Sequence, residues 1–179
     1  SKKMSKQELK EKLQTIITEV AKEIDPNLSP DVLILSELIQ SCYDGRSELT
    51  QLIAACAPIF DKGTLSAFKV AEIHKSMVTK KFDKYIVTYV MTGSVMKGLA
   101  SDKSDIDVYI VIDDTDVKKM TRAELKDRLR AMIISMAIEA GDMTGIRNKL
   151  HVQVYILTEY WDMLRESSPV IFDLLRSGV

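Results

Sequence analysis

The chain has 179 residues, 46% of them hydrophobic and 28% charged, with a formal net charge of −1. That length suits one domain, or one domain with an extension, and the composition is globular, excluding a disordered or collagen-like chain. A near-neutral balance supplies no global field toward nucleic acid or anionic lipid, and without a helix-turn-helix signature DNA binding is not expected.

The start, Ser1-Lys2-Lys3-Met4, lacks the apolar stretch of a secretory signal, and no apolar run is long enough to span a membrane. The two cysteines, Cys42 and Cys56, show neither a pairing pattern nor zinc spacing, so reduced core residues in a cytoplasmic protein are expected. Ser1 in place of an initiator Met, and an end at Val179 directly after Gly178, fit a fragment of a longer chain.

Ser5 with Glu8 three residues on forms a capping box and opens a helix over 5–24, with Leu9, Leu13, Ile16, Ile17, Val20 and Ile24 on one stripe. Asp25-Pro26-Asn27 ends it. Ser29-Pro30-Asp31, with proline in the first turn, predicts a second helix that runs to Asp44-Gly45. Two more follow, over 47–57 and 64–80. Residues 1–83 thus read as an all-helical region, serving either as a partner-binding or substrate-orienting part or as cover for a sheet. His74, with no second candidate ligand one turn away, reads as a surface or packing residue. Lys69, Lys75, Lys80, Lys81, Lys84, Lys97 and Lys103, interrupted by Glu72, Asp83 and Asp102, read as a solvated face more than a polynucleotide track.

From Tyr85 the pattern changes. Tyr85 to Met91 and Val108 to Ile112 are β-branched and aromatic runs, each a buried strand. Asp113-Asp114-Thr115-Asp116 reads as a solvated turn, and Thr121 to Glu124 as a capping box for a helix bearing Leu125, Leu129, Met132, Ile133, Met136 and Ala140, stopped by Gly141. His151 to Leu157 alternates as a third strand. Thr158 then caps a short helix, and Ser168-Pro169 opens the last.

The chemistry concentrates in 92–107, between the first two strands. Successive strand residues face opposite ways, so Asp105 and Asp107 share one face while Ile106, Val108, Ile110 and Ile112 share the other. Two neighbouring carboxylates repel unless a cation lies between them, and hard oxygen donors suit Mg²⁺ or Mn²⁺. Gly93 lets the backbone approach a ligand, Ser94 adds a hydroxyl and an N–H, and Lys97 is a compact cation, together a cradle for phosphate. The competing reading is a surface hairpin whose Gly and Asp are only turn residues.

Gly93-Ser94, ten further residues, then Asp105-Ile106-Asp107, placed at a strand end and the next strand's start, resembles the nucleotidyltransferase superfamily related to DNA polymerase β. Gly93-Ser94-x-x-Lys97-Gly98 and Ser104-Asp105-Ile106-Asp107 are most similar to the minimal nucleotidyltransferase domains of archaea and bacteria. The resemblance implies an α/β (α+β) nucleotidyltransferase fold over 84–179, a short mixed sheet packed with helices, preceded by the helical region. It implies an enzyme moving an NMP from an NTP to a hydroxyl on a small molecule, an RNA end or a protein side chain, beside a protein partner in some members. In that pattern Asp105 and Asp107 hold the metal and are catalytic, while Gly93, Ser94, Lys97 and Ser104 bind nucleotide. Catalysing members usually carry a third carboxylate on the third strand; here Gln153 stands at that position, leaving His151 or Glu159 to compensate. The alternative is a nucleotide- and metal-binding module that catalyses weakly or not at all and serves as a protein-interaction scaffold.

Overall fold

The structure, a computed structural model, describes residues 4–101, 103–117 and 119–178. Its helices are α1 (Lys6–Ile24), α2 (Leu35–Tyr43), α3 (Glu48–Ala55), α4 (Thr64–Phe82), α5 (Arg122–Thr144), α6 (Leu157–Arg165) and α7 (Pro169–Ser177). The strands are β1 (Ile86–Thr92), β2 (Ile106–Ile112) and β3 (Leu150–Ile156). The chain divides into two compact units, Ser1–Asp44 and Gly45–Val179.

In the first unit, α1 starts as its capping box dictates: the Ser5 hydroxyl accepts from the Glu8 N–H at 3.1 Å and the Glu8 carboxylate from the Ser5 N–H at 2.7 Å. Most of its apolar stripe is exposed, Leu9, Ile16, Ile17, Val20 and Ile24 included. The second helix begins at Leu35, later than Ser29-Pro30-Asp31 predicts. Its first residues are held extended by Gln14, whose amide donates to the Pro30 carbonyl at 2.8 Å and accepts the Val32 N–H at 2.9 Å. Glu37 then accepts the Ile34 N–H at 3.2 Å and pairs with Lys10 at 2.8 Å, which fixes the helix start.

The second unit is built on a mixed sheet in the order β1-β2-β3, with β1 antiparallel and β3 parallel to β2. A parallel pair needs a long crossover, and α5 provides it. Its predicted stripe is buried at Leu125, Leu129, Ile133, Met136 and Ala140. The helix passes Gly141 and stops at Gly145, whose φ of 64° and N–H bond to the Gly141 carbonyl at 3.0 Å make the left-handed cap.

One face of the sheet is core. Ile106, Val108, Ile110 and Ile112 of β2 and Val152, Val154 and Ile156 of β3 are all buried. α5 packs against β3, and α4 against α5, β1 and β2. Within this layer His74 is a packing residue: its Nε2 is 3.0 Å from the Ile133 carbonyl and its Nδ1 3.0 Å from the Tyr89 hydroxyl. Donation to a carbonyl requires a proton on Nε2, leaving Nδ1 an acceptor; the Tyr89 hydroxyl beside it also donates to the Ala71 carbonyl at 3.1 Å, so its one proton is shared between the two acceptors. Burial lowers the His74 pKa despite that carbonyl, and burial raises that of Tyr89 well above its ordinary value, with the Glu72 charge adding to it.

Two surface expectations change in the folded chain. Asp114, expected in a solvated turn, is 2% exposed and binds the Thr158 N–H at 3.0 Å, the Thr158 hydroxyl and Arg122 Nε at 3.1 Å. Thr158 is therefore bonded from inside the first turn of α6, and the helix begins at Leu157. Among the lysines, Lys69 donates to the Cys56 carbonyl at 2.6 Å and Lys75 pairs with the buried Glu72 at 2.6 Å, so these two are tied into packing. Cys42 and Cys56, expected in the core, are both thiols of intermediate burial, placed at the edge of their helices' packing. Among the described residues no helix is long and apolar enough to cross a membrane.

Candidate functional site

The other face of the sheet carries the polar residues. Thr92 on β1 lies opposite Asp107 on β2, and Asp107 lies opposite His151 on β3; one pair further along, Val90, Tyr109 and Gln153 are aligned. Residues opposite one another share a face, so Asp107 and Tyr109 stand with His151 and Gln153. β2 begins at Ile106, placing Asp105 on the last residue of the incoming loop, exposed, while Asp107 is partly buried on the strand.

Gly93 follows directly on β1 and touches this face. Its φ is 82°, and a Cβ built on it would lie 2.6 Å from Asp107 Oδ2, inside van der Waals contact. Glycine is required there on both counts: a side chain is strained at that φ and would displace the carboxylate. From Gly93 the chain folds into a compact turn, with Lys97 N–H to Ser94 O at 3.2 Å, Gly98 N–H to Val95 O at 3.0 Å and Leu99 N–H to Ser94 O at 2.9 Å. Val95 and Met96 are buried and anchor this turn, leaving Lys97 exposed. The sequence pattern and the fold thus bring Gly93, Ser94 and Asp107 into one corner.

A second turn brings the chain back into β2. The Ser104 N–H donates to the Ser101 carbonyl at 3.1 Å and the Ser101 N–H to the Ser104 hydroxyl at 2.9 Å. Ser104 uses its side chain within the loop. The sequence offers no motif for the group that holds this turn, Asn148, whose Nδ2 is 2.8 Å from both the Ser101 and the Ser104 carbonyl oxygens. Next to it, the Lys149 carbonyl accepts the Ile106 N–H at 2.9 Å.

On β3, His151 Nδ1 is 3.3 Å from Asp107 Oδ1. Gln153 lies opposite Tyr109, with its amide engaged at both ends: Nε2 donates to the Tyr109 hydroxyl at 3.3 Å and Oε1 accepts from the Tyr155 hydroxyl at 2.9 Å. The two tyrosine rings are nearly parallel, at 5°, with centroids 6.2 Å apart. Burial, and after it the Asp107 charge, raises the Tyr109 pKa; burial likewise raises that of Tyr155. The sequence places Tyr155 on this face with His151 and Gln153, whereas Tyr109 escaped the sequence reading although it continues the alternation from Asp107. Glu159, just beyond the strand, pairs with Lys126 at 2.6 Å.

Among the described residues, no group of three or more His, Cys, Asp or Glu side chains is arranged to hold a metal ion. Mg²⁺ does not require such a cage, since it commonly takes one or two carboxylates and completes its shell with water and substrate phosphate. The Asp107 carboxylate, lying against Gly93, suits that mode of binding.

The family model described as a nucleotidyltransferase domain matches residues 71–154, from within α4 to within β3, and so takes in both turns and the polar face as far as Gln153. No curated protein matches the chain significantly. Over the segment that builds this corner, the chain is similar to a nucleotidyltransferase domain.

Proposed function

We propose that the protein transfers a nucleoside monophosphate from a metal-bound nucleoside triphosphate to a hydroxyl acceptor. The observation that carries this reading is the approach of Gly93 to Asp107, where backbone lies against a carboxylate with no room for a Cβ. With no side chain at Gly93, the backbone N–H groups of its turn are left uncovered for phosphate beside the acid. Asp105 and Asp107 hold the Mg²⁺ or Mn²⁺, Gly93 and Ser94 position the β- and γ-phosphates, and Lys97 and Ser104 flank them. When bound, the cation offsets the negative charge of the phosphates.

The acceptor oxygen forms a bond to the α-phosphorus as the bond to the bridging α,β-oxygen breaks. Pyrophosphate leaves, and the acceptor proton passes to solvent. The chain's own contribution is alignment and a fixed electrostatic environment, which account for most of the catalysis in reactions of this kind. The acceptor is a small molecule, an RNA end or a protein side chain.

A specific observation favours a second reading, a nucleotide-binding module with little turnover. The site face of β3 carries His151, Gln153 and Tyr155 with no carboxylate, and the Gln153 amide is occupied by two tyrosine hydroxyls. The two readings separate in one experiment: transfer from α-labelled ATP, GTP, CTP and UTP with Mg²⁺ or Mn²⁺ to the protein, bulk RNA and cell extract, run beside a nucleotide-binding titration and Asp105→Asn/Asp107→Asn. Labelled product that the double substitution abolishes supports the enzyme. Metal-dependent binding without product supports the module, and no binding removes both.

A further inference from the structure

We propose that Asn148 is a positioning residue for the nucleotide site, holding the turn that delivers Asp105. The inference rests on the reading of Asp105 as a metal-holding carboxylate.

Asn148 is 5% exposed and comes just before β3, yet both hydrogens of its Nδ2 go to the loop before β2, at 2.8 Å from each of the Ser101 and Ser104 carbonyls. Rotating the amide by half a turn would set Oδ1 against two carbonyl oxygens, so the donor orientation is forced. Asp105 is then bracketed. The residue before it is held by the Asn148 side chain, and the residue after it donates its N–H to the Lys149 carbonyl at 2.9 Å. Asp105 itself is exposed, so packing of its own side chain does not fix it. The two donors of one primary amide therefore set where the carboxylate enters the site.

Few side chains can replace this arrangement. Aspartate has the same shape but presents acceptors to two acceptors, and leucine presents nothing. Serine keeps a single donor. Groups that orient the ligands of a metal typically change metal affinity or activity by about 10- to 100-fold when removed.

The test compares wild type, Asn148→Asp, Asn148→Ser and Asp105→Asn for ATP binding as a function of Mg²⁺ concentration, for hydrogen exchange at the Ser104 and Ile106 amides, and for melting temperature. Asn148→Asp is expected to raise the Mg²⁺ needed for half-maximal ATP binding about tenfold or more, approaching Asp105→Asn. Asn148→Ser raises it less, and exchange at both amides accelerates while that of Ile110 at the centre of β2 is unchanged. If Asn148→Asp does not fold, the serine variant decides. Unchanged metal dependence in the folded variants overturns the proposal. A wild-type protein that binds no Mg²⁺–ATP, with exchange still accelerated in the variants, instead overturns the nucleotide reading of the site and with it the role assigned to Asn148.

Discussion

The two faces of β2 differ in what their side chains do. Ile106, Val108, Ile110 and Ile112 are buried, with α4 packed against the strand, whereas Asp107 and Tyr109, alternating with them, remain partly accessible and polar. One strand thereby anchors the core and presents the site, because side-chain direction reverses at each residue. The lesson is that substitutions one residue apart should act on different properties, one on folding and the other on chemistry.

The sharpest test is Asp107→Asn, which keeps shape and removes charge. Transfer of label should fall about 10³-fold or more, equivalent to roughly 4 kcal/mol of transition-state stabilisation, with a melting temperature close to wild type. A drop in melting temperature as large as that of a core variant would break the division between faces. On the buried side, Ile110→Ala should cost about 2–5 kcal/mol of stability in urea titration, while the kcat/KM of the protein that remains folded stays near wild type. Gly93→Ala crosses the boundary, since its methyl meets Asp107 Oδ2 and its φ is unfavourable for a side chain. Strain of about 1–2 kcal/mol is expected, accompanied by loss of Mg²⁺-dependent nucleotide binding.

A smaller effect comes from pH at the core face. Burial depresses the His74 pKa, so the folded state keeps it neutral where the unfolded chain begins to bind a proton. Its contribution to stability is complete above its ordinary value near 6.5 and is lost as pH falls through that value toward the folded one. Urea midpoints across this range should decline more in wild type than in His74→Gln, which cannot titrate. The smallest change is expected for Gln153→Ala, about 1 kcal/mol, because the partly accessible tyrosine hydroxyls recover water as a partner. A larger loss would mean that the polar face also holds the sheet together.

Most of this architecture is legible in the sequence where local pattern and tertiary environment agree. The α5 stripe from Leu125 to Ala140, the three strand cores and the Ser5 and Thr121 capping boxes are of this kind, as is the need for glycine at position 93, whose backbone lies against Asp107. Legibility fails where a side chain from elsewhere in the chain intervenes. Pro30 carries a helix-start signal, but Gln14 holds its segment extended. Asp114 has the composition of a turn, but Thr158 and Arg122 bury it. Asn148 has no motif at all, since its role depends on carbonyls brought to it by the β2–β3 pairing, and carbonyls are the same at every position.

The crossover through α5 also sets the order in which the chain can finish its site during synthesis. β1, its loop and β2 are contiguous, but His151 meets Asp107 across 44 positions of sequence. At ribosomal speeds of about 5–20 residues per second, that separation corresponds to roughly 2–9 s. For that interval the growing chain has Thr92 opposite Asp107 on one side and nothing yet on the other, and the strand that completes the polar face is the last of the three to be made.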